Sequence, residues 1–109
     1  MIPEHDIYSA IADPTRRRVI AMLAREDLPA GAVAHRIDGM SRPAVVKHLN
    51  ILRRSGIVIT EKQGRQRINR LNPAALQDLK AWVAEIDRFW ETRLTRLKDL
   101  IESEEWSDG

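Results

Sequence analysis

Apolar residues in this chain recur at helical spacing in several short stretches and one long one, with turn residues between them. Ile7, Tyr8 and Ile11 share one side of a short first helix expected from about Glu4 to Ala12. Asp13-Pro14 reads as the next helix start: an aspartate accepts from free N–H groups of the first turn, and proline lacks the N–H that would go unused there. That helix turns Val19, Ile20 and Leu23 inward and Arg16, Arg17 and Arg18 outward, and ends near Arg25. A third, short helix is expected from Pro29 through Ile37, weakened by Gly31. After the turn Asp38-Gly39-Met40, Ser41 is the N-cap of a fourth helix running to about Arg54. Its residues Val45, Leu49 and Leu52 fall on one face, and Gly56 supplies the stop.

Two β-prone runs, Ile57–Thr60 and Arg67–Leu71, flank Gln63-Gly64 and predict a hairpin with a basic tip. One long helix follows from Pro73 to about Glu102, opened by Asn72. Leu76, Leu79, Val83, Ile86, Trp90, Leu94, Leu97 and Ile101 recur along it at spacings of three and four, and Trp82 and Phe89 widen the stripe. A helix of that length reaches roughly 45 Å, more than a domain of this size spans. A second copy of the chain is therefore expected to cover part of the stripe. Pairing is assigned to the helices at about 4–12 and 73–102, through Ile7, Ile11, Trp82, Ile86, Phe89, Trp90, Leu94 and Leu97. The aromatic residues of this set also leave open a pocket for a small effector between subunits, whose identity nothing in the sequence specifies.

Charge sharpens the picture. The net charge is only +2, yet residues 41–70 carry eight Lys/Arg against the single acid Glu61, while residues 71–109 carry five against nine. A basic segment placed on a helix and a hairpin is the footprint of a surface that meets a polyanion. Two helices joined by a glycine-containing turn and followed by a hairpin form a winged helix-turn-helix. The fold class is thus mainly α with a small β-hairpin and a long C-terminal helix. It is read as a single domain over 1–109, with the helix-turn-helix at about 30–54 and the wing at about 57–71.

On the fourth helix the positions left exposed are Arg42, Val46, Lys47, Asn50 and, in part, His48, with Arg53 at its end. Arg42 or Lys47 suits guanine O6/N7, and Val46 suits a thymine methyl. Ser41 and the first-turn amides suit a phosphate, as do Arg65 and Arg67 beside the Gly64 turn. His48 either packs or contacts DNA. Arg16, Arg17 and Arg18 read as a solvated face offering one phosphate contact. The partner expected is double-stranded promoter or operator DNA. The alternative is a winged-helix protein-interaction module without sequence-specific DNA binding.

Other classes fall away. There are no cysteines, so disulfides and thiolate chemistry are excluded, which fits a reducing cytoplasm. No apolar run approaches the ~20 residues of a membrane span, and residues 1–6 lack the pattern of a secretory signal. No Gly-rich phosphate loop or nucleophile motif suggests an enzyme, and no cofactor is indicated. The three histidines, His5, His35 and His48, stand on three different elements, which argues against a metal site.

Four motifs in order, Asp13-Pro14-Thr15-Arg16-Arg17-Arg18-Val19-Ile20, Ser41–Leu49, Leu52–Val58 and Gly64-Arg65, resemble the ArsR/SmtB family of bacterial repressors. The resemblance runs from about Tyr8 to Leu97. It implies a homodimer formed by the first and last helices, binding at an inverted repeat, and repression relieved by an effector. The family's DNA-reading segment falls on Ser41, Arg42, Val46, Lys47 and His48, and its wing on Gly64 and Arg65. Three features depart from the family. Val46 replaces a frequent serine, Asn69 replaces a frequent aromatic, and no cysteine stands at Ala32–His35 where founding members bind metal.

Overall fold

The computed structural model of the chain describes residues 6–107. These form helices α1 (Ile7–Ile11) and α2 (Pro14–Arg25), strand β1 (Leu28–Pro29), helices α3 (Ala30–Arg36) and α4 (Arg42–Arg54), strands β2 (Val58–Gln63) and β3 (Gln66–Leu71), and helix α5 (Pro73–Ser107). The chain divides after Leu76 into two units.

Side chains set the helix starts of the first unit. Asp6 accepts from the Ser9 N–H at 2.6 Å, Asp13 from that of Arg16 at 2.9 Å, and Ser41 from that of Ala44 at 3.3 Å. The Asp6 cap opens α1 at Ile7, later than the expected start at Glu4, which lies outside the described residues. Helix α4 closes as its sequence dictates. Gly56 takes φ +87°, its N–H donates to the Arg53 carbonyl and that of Ile57 to Leu52, the paired bonds of a Schellman ending. The same ending buries Ile57 against Leu52.

The core is formed by Val19 and Leu23 of α2, Val33 of α3, Val45, Leu49 and Leu52 of α4, and Ile57, Val58 and Leu28 of the strands and their approaches. Ile7 and Ile11 pack against it, half-buried.

The sheet holds one strand more than the expected hairpin. Its order is β1-β3-β2, all antiparallel, with Leu28 opposite Asn69 and Pro29 opposite Ile68. Pro29 is therefore the N-cap of α3 and the end of an edge strand, not the first residue of a helix. A two-residue strand is too short to show alternation, and an edge tolerates a proline because its missing N–H has no ladder partner to lose. Asn69 explains why the strand sits there. It is 4% exposed, and its Nδ2 donates to the Leu28 carbonyl at 3.1 Å. A buried amide thus fastens β1 to the base of the wing.

Asn72 joins the end of α4 to the start of α5. Its Oδ1 accepts from the Ala74 N–H at 3.1 Å and its Nδ2 donates to the Gly56 carbonyl at 2.8 Å. The second unit is the continuation of α5, which runs five residues past the expected end to Ser107. At 35 residues the whole helix measures about 52 Å. Trp82, Val83, Ile86, Phe89, Trp90, Leu94, Leu97, Leu100 and Ile101 are all exposed in this single chain. No helix among the described residues is long and apolar enough to cross a membrane.

Candidate nucleic-acid interface

Helix α4 presents three faces. Val45, Leu49 and Leu52 are buried. Ala44, His48 and Ile51 are half-buried on the side of α2, and Arg42, Val46, Asn50 and Arg53 lie on the remaining flank. Lys47 points outward between the last two sets.

The wing completes the site. Gly64 takes φ +63° and Arg65 follows with φ in the usual negative range, so a two-residue turn joins Gln63 to Gln66 in the manner of a type II′ hairpin. Antiparallel pairing sets Thr60 opposite Asn69 and Lys62 opposite Arg67, and by period two these four side chains share one face of the ribbon.

Between that face, the start of α3 and the exposed flank of α4 lies a cleft of about 600 Å³. Arg42, Arg53, Arg65 and Arg67 stand around it, with Val46, Leu49, Asn50, Thr60 and Gln66 between them. Ala30, Gly31 and Ala32 contribute little side-chain bulk on the α3 side. Arg42 leans across them, its guanidinium carbon 3.7 Å from where a methyl group on residue 31 would sit. No carboxylate lines the cleft. Among the described residues none of the four arginines is ion-paired; the Arg and Lys pairs are Arg36–Glu26, Arg70–Glu61 and Lys98–Glu102.

Of the positions chosen from sequence, the fold thus brings Arg42, Val46, Asn50, Arg53, Arg65 and Arg67 to one cleft. Lys47 and Gly64 are exposed outside it. Ser41 is exposed too, its Oγ engaged as the cap of α4. His48 stands apart: two positions along a helix from Val46 it is rotated about 160° away. Sequence reasoning missed Thr60, Gln66 and the Ala30–Ala32 stretch. The run of small residues that opens α3 was the one signal available, and it pointed only to that stretch.

Two of the three arginines read as solvated have structural work instead. Arg16 Nε donates to the Ala10 carbonyl at 2.7 Å, and Arg17 Nη1 to those of Ile11 at 2.8 Å and Ala12 at 3.1 Å. Together they satisfy the carbonyls of Ala10, Ile11 and Ala12 at the end of α1.

The Arg16 backbone N–H, and then the charge of Arg16, hold the Asp13 carboxyl below its ordinary value near 3.8. A carboxyl with a lowered native pKa stabilises the fold above its unfolded value and loses that contribution as pH falls through the native one. Asn caps helices nearly as well but does not titrate. In chemical denaturation, the stability advantage of the wild type over Asp13→Asn is therefore expected to be constant from pH 5 to 7 and to shrink below about pH 4. An advantage independent of pH down to 2.5 would remove the charge from the account.

A family described as a helix-turn-helix domain matches residues 11–61. The chain is 37% identical over 97 residues to the HTH-type transcriptional regulator Rv2034 of Mycobacterium tuberculosis, covering 89% of this chain and 87% of that one. It is 33% identical over 79 residues to the transcriptional repressor SdpR of Bacillus subtilis, covering 72% of this chain and 87% of the repressor. Among solved structures, an ArsR-like transcriptional regulator from Rhodococcus sp. superposes with a TM-score of 0.74 at 34% identity, covering 89% of this chain and 88% of its own.

Proposed function

We propose that this chain, which belongs to the ArsR family of winged helix-turn-helix transcriptional regulators, acts as a cytoplasmic homodimeric repressor at an inverted-repeat operator. The observation that carries the reading is the cleft between α4 and the wing, where four guanidiniums face solvent with no acid among them. Unpaired cations concentrated on one flank gain by exchanging condensed counterions on DNA for phosphate contacts. Val46 and Asn50, between Arg42 and Arg53 on the same flank, supply the apolar and amide groups that read base edges in the major groove. The wing arginines reach the backbone or the neighbouring minor groove.

Dimerisation rests on α5. Val83, Ile86, Phe89, Trp90, Leu94 and Leu97 of its apolar stripe are exposed in the single chain, and Arg93 lies over the Trp90 ring with its guanidinium carbon 5.6 Å from the centroid. A second copy is the partner whose stripe matches in length and pattern. Two subunits then place two α4 helices in successive major grooves, with half-sites about one helical turn apart. A dimer bound across a promoter blocks polymerase sterically.

Fluorescence anisotropy on the DNA upstream of the protein's own gene, and on a scrambled duplex of the same length, tests this at low and near-physiological salt. Binding to the native fragment in salt that abolishes the scrambled one is the expected result. Equal salt-sensitive binding to both would deny sequence reading on that fragment. No binding to either at low salt would favour a protein-interaction module.

A further inference from the structure

The residue of α4 that departs from the DNA-facing flank is His48, and its surroundings differ from those of its neighbours. Its side chain is 22% exposed. Nδ1 lies 3.4 Å from Arg16 Nη1 and 3.9 Å from Asp13 Oδ2. Arg16 is itself held: Nε donates to the Ala10 carbonyl, and its backbone N–H to the Asp13 carboxylate. Arg16 thus joins the end of α1 to the middle of α4 through its guanidinium, and holds the cap of α2 through its backbone N–H.

We propose that His48 is a positioning residue, which through Nδ1 locks the rotation of α4 onto the Asp13–Arg16 start of α2 and so aims Arg42, Val46, Asn50 and Arg53 at DNA. With Arg16 donating, Nδ1 accepts and the ring carries its proton on Nε2. A fork is needed at residue 16, because one nitrogen serves α1 while another reaches α4. Val45, Leu49 and Leu52 seat one face of α4 in the core, and the hydrogen bond on the flank opposite the cleft adds a directional restraint against rolling. A link from α1 to the DNA-reading helix also gives any change at α1 a route to α4 through one side chain.

The inference rests on the DNA-reading role proposed above, and its test separates the two. Asparagine places an amide oxygen close to where Nδ1 stood, whereas glutamine reaches toward the place of Nε2. On the upstream fragment, His48→Ala and His48→Gln are expected to weaken binding roughly three- to thirty-fold, the range of coupling through a packed contact. His48→Asn should stay within about two-fold of wild type on that same scale. The dependence of affinity on salt should not change, since no phosphate contact is lost. Arg16→Lys keeps the charge but loses the fork; it should cause a similar loss, and adding His48→Ala to it should cost little more. Rescue by Gln instead of Asn, a salt slope lower by about one, or losses that simply multiply would each overturn the proposal. Should the wild type fail to bind DNA selectively, the functional reading falls. The clamp is then judged by a double-mutant cycle in unfolding, where coupling between residues 16 and 48 supports it and independence ends it.

Discussion

Trp90→Glu and Leu94→Glu are each expected to dissociate the protein into monomers and to take operator binding with them. Trp90 is 52% exposed in the single chain and sits mid-stripe on α5, between Ile86 and Leu94. A tryptophan truncated at the centre of an apolar interface typically costs ~2–4 kcal/mol, which is roughly 30- to 1000-fold in a dimer dissociation constant. A carboxylate adds the penalty of burying an unpaired charge. Each half-site alone binds weakly, because the second contact is no longer intramolecular. Sedimentation velocity across a concentration series reads the mass, and anisotropy on the upstream fragment reads the binding. A wild type that sediments as a monomer at tens of micromolar would refute the pairing through α5 before any variant is made.

Arg42→Ala should weaken binding to the native fragment by about 1–3 kcal/mol and to scrambled DNA far less, the signature of a base contact. Arg42 is in the first turn of α4, the part of a recognition helix that enters the groove first, and it leans over the cleft with no carboxylate to hold it back. Lys47 stands on the outward side of the same helix, beyond the cleft. Lys47→Ala is expected to weaken both duplexes alike and to lower the salt slope by about one. Equal losses for Arg42→Ala on the two duplexes would reassign it to phosphate. Selective loss for Lys47→Ala would move base reading to the outer side of α4.

Much of this was legible in the chain itself. Local chemistry decides helix starts and stops, so Asp13-Pro14, Ser41 and Gly56 announced theirs, as did Asn72-Pro73 for α5. Periodicity decides which face is buried, so Val45, Leu49 and Leu52 were identifiable as core. The basic excess of residues 41–70 and the apolar stripe of α5 are properties of sequence order alone.

Contacts between residues far apart in sequence were not legible, because no local pattern encodes them. Asn69 and Leu28 are 41 positions apart, and the amide that fastens β1 looked in sequence like a departure from the family pattern. Arg16 and His48 are 32 apart; an arginine on an exposed helical position reads as solvated until the fold sets three acceptors within its reach. The cleft likewise needed the ribbon folded back toward α4 before Thr60 and Gln66 could join the arginines of that helix. Apart from the two-residue β1, sequence by itself determined the elements, their buried faces and the charge they carry, since each depends on neighbours within a turn or two. Tertiary structure alone decided which polar groups meet, because a hydrogen bond depends on distance and direction in space and leaves no period in the chain.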